Sequence, residues 1–132
     1  MKYIGIIKAH HVEDANFVLD QSSTYISCRD AEFIIDYVKT KGRPFLVTMM
    51  TVESLITSET IDGLAFYTDG FWIWPSYFAH YLEMKAVEIP NDFLSYVKLQ
   101  LNKNEQPNIG PEALSNAIAH HGRRFASYIR DL

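Results

Sequence analysis

The stretch LAFYTDGFWIW, residues 64–74, constrains the fold more than any other part of the chain. It consists of two runs of aromatic and β-branched residues, which favour strands, on either side of a Thr-Asp-Gly sequence. An Asp-Gly pair accepts the positive φ angles of a tight turn, and the twist of such a turn matches that of two antiparallel strands. The stretch therefore predicts a β-hairpin with strands near residues 64–68 and 71–74.

The aromatic side chains of this hairpin leave two interpretations open. Because side chains alternate along a strand, Phe71 and Ile73 should face one side of the sheet, and Trp72 and Trp74 the other. In one interpretation helices bury both faces, since aromatic clusters belong more often to a core than to an interface. In the other, some aromatic residues line an exposed patch rimmed by acids, which is the usual composition of a binding surface. The residues considered for that patch are Tyr67, Trp72, Trp74 and Tyr77.

The rest of the chain alternates between strand-like and helix-like segments. Residues 29–42 have apolar side chains at helical spacing and a glycine after the last lysine, which predicts a helix. Pro75, Pro90 and Pro111 each precede an apolar helical pattern and suit the first turn of a helix. Gly122 is a candidate break or kink in the last of these helices. Further strands are predicted at KYIGIIK (2–8), STYISC (23–28) and RPFLVTMMT (43–51).

These segments predict a single α+β domain that spans residues 1–132. We expect an antiparallel or mixed sheet of about four or five strands, packed by about three or four helices. A chain of 132 residues with 48% hydrophobic residues has the size of one domain and can bury one core. Residues 12–21 and 52–60 are consistent with a short helical piece or with a loop.

The sequence contains no segment that predicts membrane insertion or secretion. Its apolar runs fall far short of the roughly 18 residues that a membrane helix needs. The N-terminus lacks the roughly 7 to 15 consecutive apolar residues of a secretory signal. The single cysteine, Cys28, cannot form an internal disulfide and is expected to be a small buried core residue. We therefore expect a cytoplasmic protein.

Charge is distributed unevenly along the chain. The net charge of -4 argues against a nucleic-acid-binding protein, because phosphate recognition depends on clustered lysine and arginine. Residues 45–97 contain one lysine and seven carboxylates, a balance of -6. The carboxylates are Glu53, Glu59, Asp62, Asp69, Glu83, Glu88 and Asp92. This segment is expected to form an acidic face that attracts a positively charged protein.

No constellation of residues in the sequence predicts catalysis or a bound cofactor. His10-His11 and His120-His121 are adjacent pairs whose side chains point apart, whereas two ligands on one helix face need a spacing such as i, i+4. The chain has no glycine-rich phosphate loop, and no serine lies in a turn that exposes a nucleophile. We therefore expect a protein that is not an enzyme and that uses no metal and no cofactor.

A longer pattern resembles a known kind of protein. The chain reads LVTMMT, then a variable stretch, then DGLAFYTDGFWIWPSYFAHYLEMKAVEIPNDFLSYV. Over residues 45–98 it is similar to immunity proteins of bacterial polymorphic toxin and contact-dependent growth inhibition systems, in which a TDG-W-W hairpin leads into a helix. The matching positions are Thr68, Asp69, Gly70, Trp72, Trp74, Tyr81, Pro90 and Phe93. The chain departs from that pattern at His80, where the family-like sequences have the first of two tyrosines.

This resemblance implies an immunity protein that binds and neutralises a cognate toxin domain. Many toxins of these systems are nucleases with basic substrate clefts, so the expected partner is a basic nuclease whose active site or an adjacent surface is masked. We expect no direct contact with nucleic acid or membrane, and either a monomer or a homodimer. The residues predicted to contact the toxin are Asp62, Asp69, Glu83, Glu88 and Asp92, with Trp72 and Tyr77 as anchors.

An alternative from another functional class is a small ligand-binding domain or enzyme. Its pocket would lie under the aromatic hairpin, with His80 as a general base and Glu83 adjusting its pKa toward neutrality. A third hypothesis is a homodimer that forms through the apolar edge of the hairpin.

Overall fold

The computed structural model describes residues 1–13, 15, 28–103 and 109–132, and the side chains of 28–31 and 62 lie outside this description. The strands are β1 (Lys2–Tyr3), β2 (Arg43–Glu53), β3 (Thr60–Thr68) and β4 (Trp72–Pro75). The helices are α1 (Cys28–Thr40), α2 (Phe78–Glu83), α3 (Asn91–Asn102) and α4 (Pro111–Asp131), and a short 3-10 turn covers Lys8–His10. The strands form one mixed sheet in the order β1-β4-β3-β2, which confirms the α+β class.

The hairpin is formed by β3 and β4, as its sequence predicts. The two strands pair antiparallel, with Tyr67 opposite Trp74 and Thr68 opposite Ile73. On the other side of β4 the short strand β1 runs parallel to it. The chain leaves this pairing at Gly5, which has a φ of +74° and lies so close to the ring of Phe78 that a Cβ atom would overlap that ring. Only glycine combines this φ with so close a contact, and β1 is accordingly short.

Helices cover both faces of the hairpin. On one face Trp72 and Trp74 pack with apolar residues of α1, α2 and α3. On the other face Ile73 packs with Phe66, Tyr77 and side chains of α4. Trp72 is 6%, Trp74 1% and Tyr77 0% exposed, so these residues belong to the core. For these three residues the interpretation that helices bury both faces is confirmed, and the interpretation that they line an exposed patch is wrong.

The junction between the hairpin and α2 differs from its prediction. Pro75 is the last residue of β4 and does not begin the helix, which starts at Phe78. The reason lies in Ser76, whose N–H donates to the Ala65 carbonyl at 2.7 Å and whose hydroxyl accepts from the Ala65 N–H at 3.0 Å. These two hydrogen bonds extend the pairing of the hairpin by one residue and delay the helix.

The other elements follow their predictions closely. The expected helices at residues 29–42, after Pro90 and from Pro111 correspond to α1, α3 and α4, and the strand at 43–51 corresponds to β2. The last helix continues through Gly122 without a break. Within the described parts of the chain, no helix is both long and apolar enough to cross a membrane. Residues 23–27 of the strand predicted at 23–28 lie outside the described residues, and its last residue, Cys28, begins α1. Most of the ambiguous segment 12–21 also lies outside the described residues.

Candidate functional site

Asp69, one of the predicted contact residues, forms the centre of the hairpin turn. Its Oδ1 accepts hydrogen bonds from the N–H groups of Phe71 at 3.0 Å and Trp72 at 2.8 Å. Its Oδ2 accepts a 2.6 Å hydrogen bond from the hydroxyl of Tyr37. The side chain is buried, with 2% of the residue exposed. Asp69 therefore holds the turn and cannot contact a partner, so this prediction is wrong.

Two other predicted carboxylates lie beside lysines. Glu83 at the end of α2 pairs with Lys39 at the end of α1. Asp92 in the first turn of α3 lies 3.5 Å from the Nζ atom of Lys2. The two pairs line different clefts of the molecule. The carboxylates of residues 45–97 therefore do not make one unbroken acidic face.

The two remaining carboxylates of the predicted contact set are Glu88 and Asp62. Glu88 is exposed and lies between α2 and α3. The side chain of Asp62 lies outside the described residues. Of the aromatic anchors, Trp72 and Tyr77 are buried and face opposite sides of the sheet. Of the seven predicted contact residues, Glu83, Glu88 and Asp92 are accessible. Three others, Asp69, Trp72 and Tyr77, are buried and cannot contact a partner.

The histidines hold the N-terminal segment against the core. The Nε2 atom of His10 lies 2.6 Å from the Tyr81 hydroxyl, and the Nε2 atom of His11 lies 2.9 Å from the Tyr77 hydroxyl. Burial lowers the pKa of His11 to about 4, and the neighbouring His10 and His121 act in the same direction. Burial also lowers the pKa of His10. Both rings are therefore neutral at pH 7 and act as hydrogen-bonding groups.

His121 on α4 likewise links the N-terminal part of the chain, at Tyr3 of β1, to the core. Its Nδ1 atom lies 3.0 Å from the Tyr3 hydroxyl, and its ring stacks on Phe125 with 4.3 Å between centroids. Burial lowers the pKa of His121 to about 4, with a smaller contribution from His120. Among the described residues, no group of three or more histidine, cysteine, aspartate or glutamate side chains is arranged to hold a metal ion.

An apolar surface that the sequence analysis did not identify lies on β2. Val47 is 73%, Met49 102% and Met50 60% exposed, although most strands bury alternate side chains. Glu53 at the end of β2 lies opposite Thr60, and the preceding residue, Glu59, is also exposed. We call these five residues, Val47, Met49, Met50, Glu53 and Glu59, the β2 surface.

A bulge in β2 accounts for the exposure of the two methionines. Val47 pairs with Ala65 and Thr51 with Gly63, so residues 48–50 of β2 stand opposite a single residue of β3. The hydroxyl of Thr48 donates to the Leu64 carbonyl at 2.8 Å and accepts from the N–H of Met50 at 3.2 Å. A bulge bends its strand and redirects its side chains, and here it projects both methionines into solvent.

A cleft lies under the hairpin, where the alternative hypothesis expects a pocket. It has a volume of about 330 Å³ and opens between α1, α2 and the hairpin. The polar groups that line it are Lys39, Tyr67, Ser76, His80 and Glu83. The Nε2 atom of His80 lies 2.8 Å from the hydroxyl of the buried Ser54, which fixes the orientation of the ring. We call this the hairpin cleft.

Neither family models, curated proteins nor solved structures gave any match to this chain. The candidate site is therefore defined by its geometry alone.

The sequence did contain a signal for the β2 surface. In RPFLVTMMT two methionines follow one another, so strict alternation would put one of them in the core. Only the bulge places both outside, and its position depends on the pairing with β3. The interrupted alternation indicates an irregular strand, but it does not tell which side chains become exposed.

Proposed function

We propose that this chain is a cytoplasmic immunity protein that binds and neutralises a cognate bacterial toxin domain, a basic nuclease. The observation that carries the proposal is the β2 surface, with its exposed apolar centre and acidic end. Exposed apolar side chains that lie together mark interaction surfaces more reliably than single exposed residues do.

The composition of the β2 surface is suited to protein recognition. Methionine is flexible and polarisable, so Met49 and Met50 can adapt to the shape of a partner and release water on contact. Glu53 and Glu59 are exposed, and within the described part of the chain neither is in an ion pair. They are therefore available to attract a basic partner and to stay at the rim of the contact.

The proposed contact surface replaces most of the residues expected from the sequence. Glu83, Glu88 and Asp92 are accessible and add to the long-range attraction of a basic toxin, though two of them are already beside lysines. The buried residues Asp69 and Trp72 support the hairpin.

The proposal is tested by co-expressing the chain with the toxin domain that is encoded immediately upstream. We expect rescue of growth and co-purification of the two proteins. The variant Met49→Ala/Met50→Ala should lose co-purification, since it removes the apolar centre.

A matched control is Leu99→Ala/Ile118→Ala, which removes two apolar side chains that are each 54% exposed on other elements. This control should still bind the toxin. Unchanged cell killing with the wild-type chain would discard the proposal. If both double variants bound the toxin equally well, the toxin would have to contact a surface other than β2.

A further inference from the structure

We propose that the hairpin cleft binds a free amino acid with an apolar side chain, recognised by its ammonium and carboxylate groups. The inference goes beyond the proposed function, since it concerns a different surface and a different class of ligand.

The size and the walls of the hairpin cleft suit a ligand of this kind. Its volume of about 330 Å³ lies at the lower end of the roughly 300–1,000 Å³ of small-molecule pockets. The apolar part of the lining comes from Val38 of α1, Ile61 of β3, Trp74 of β4 and Ala79 of α2. An apolar side chain placed there would bury its surface against four different elements, which favours binding by roughly 25 cal/mol per Å² removed from water.

The charges of the hairpin cleft match an amino-acid backbone. Lys39 and Glu83 are paired and both line the cleft. A free amino acid likewise has adjacent opposite charges, so its carboxylate can bind Lys39 while its ammonium binds Glu83. A ligand with only one of these charges would leave the lysine or the glutamate without its partner, and the cleft therefore selects zwitterions.

Opening the existing ion pair costs little. The side chain of Lys39 is 52% and that of Glu83 45% exposed, and an ion pair so exposed to solvent contributes only about 0–1 kcal/mol to stability. The ligand replaces one such pair with two, while both charged groups stay partly hydrated. Their desolvation therefore does not oppose binding as it would at a buried site.

The surrounding polar groups are already fixed before a ligand arrives. The Ser76 hydroxyl donates to the Gly63 carbonyl at 3.0 Å and accepts from the Ala65 N–H, so it shapes the wall of the cleft. His80 is oriented by Ser54. Apart from the Lys39–Glu83 pair, the walls of the cleft need not rearrange, so binding loses less conformational entropy.

Isothermal titration calorimetry with the whole chain tests the proposal. The ligands are L-leucine and L-phenylalanine, compared with N-acetyl-L-phenylalanine, which lacks the ammonium, and L-phenylalaninamide, which lacks the carboxylate. We expect saturable binding of at least one free amino acid and binding about tenfold weaker for each blocked analogue, because a charged hydrogen bond is lost.

The variants Lys39→Gln and Glu83→Gln should each weaken binding by about the same factor. The matched controls Lys103→Gln and Glu88→Gln, which alter exposed charges outside the cleft, should bind normally. Circular dichroism and thermal unfolding establish that all four variants are folded. The absence of saturable binding by the wild-type chain, or equal binding of free and blocked amino acids, would overturn the inference. Either result leaves the toxin-binding experiment unaffected, because that experiment depends on the β2 surface.

Discussion

The hydroxyl of Tyr37 donates a 2.6 Å hydrogen bond to the carboxylate of Asp69 and so ties helix α1 to the hairpin turn. Both residues are buried, and 32 positions separate them in the chain. Burial, together with the hydrogen bond to Asp69, raises the pKa of Tyr37 far above its usual range. The hydroxyl of Tyr37 therefore stays protonated at neutral pH and remains a donor to the turn.

Replacing Asp69 should destabilise the whole domain. In Asp69→Ala the N–H groups of Phe71 and Trp72 and the hydroxyl of Tyr37 lose their acceptor, and the donors of Trp72 and Tyr37 are buried. Each unsatisfied buried donor costs about 1–3 kcal/mol, so we expect a loss of about 2 kcal/mol or more in the free energy of unfolding. Urea unfolding followed by tryptophan fluorescence measures this loss.

Tyr37→Phe removes only one of these hydrogen bonds and should cost about 1–2 kcal/mol. Glu88→Gln, at an exposed position, should change the free energy of unfolding by less than about 0.5 kcal/mol. If Asp69→Ala unfolded at the same urea concentration as the wild type, the turn would not depend on this carboxylate.

Two glycines should respond in opposite directions to the same substitution. Gly5→Ala forces a methyl group into the Phe78 ring at a φ of +74°, so we expect it to destabilise the protein by about 2 kcal/mol or more. Gly122 lies inside α4, and among the described residues no atom of another element lies within 4 Å of the place that an added methyl group would take. Gly122→Ala should therefore stabilise the protein by about 0.5–1 kcal/mol. Thermal unfolding of both variants checks the prediction, and equal shifts in Tm would contradict it.

The features that sequence predicts well here are local ones. The turn at residues 68–70 depends on neighbouring residues, and the spacing that predicts α1 repeats within a single helix. The alternation of Trp72 and Trp74 against Ile73 also follows from the strand alone. None of these inferences requires knowledge of which element packs on which.

The features that sequence does not predict depend on distant contacts. An Asp-Gly turn is usually exposed, and nothing near Asp69 indicates that Tyr37 buries it. The sequence pattern places the start of α2 too early because the hydrogen bonds between Ser76 and Ala65 link two strands. The exposure of Met49 and Met50 likewise depends on how β2 and β3 are aligned.

Stability should fall as the solution becomes acidic, and histidines are the cause. The pKa values of His11 and His121 are about 4 in the folded chain, below the ordinary value of 6.5. Between these values the unfolded chain binds more protons than the folded chain, so the free energy of unfolding rises with pH. The stabilisation is complete above about pH 6.5 and is lost progressively as the pH falls toward 4.

Urea unfolding at intervals between pH 4 and 8 measures this dependence. His11→Gln keeps a side chain that can hydrogen-bond the Tyr77 hydroxyl but cannot take up a proton, so its stability should depend less steeply on pH between about 4 and 6.5. No difference in slope between this variant and the wild type would show that His11 is not responsible.

The charged and the apolar residues of the β2 surface should affect different rate constants of toxin binding. Glu53 and Glu59 are exposed at its acidic end, and reversing both charges in Glu53→Lys/Glu59→Lys should slow association with a basic toxin. The effect should shrink at high salt, because salt screens exposed charges. Met49→Ala/Met50→Ala should instead speed dissociation, since it removes contacts that form only in the complex.

Surface plasmon resonance at low and high salt distinguishes these effects. The control Lys103→Glu/Gln100→Glu changes the charge in the opposite direction at the end of α3, away from β2. A basic toxin should associate with this control at least as fast as with the wild type, because the change adds negative charge. If charge reversal on the β2 surface left the association rate unchanged at low salt, Glu53 and Glu59 would have no part in attracting the toxin, whatever the contribution of the two methionines.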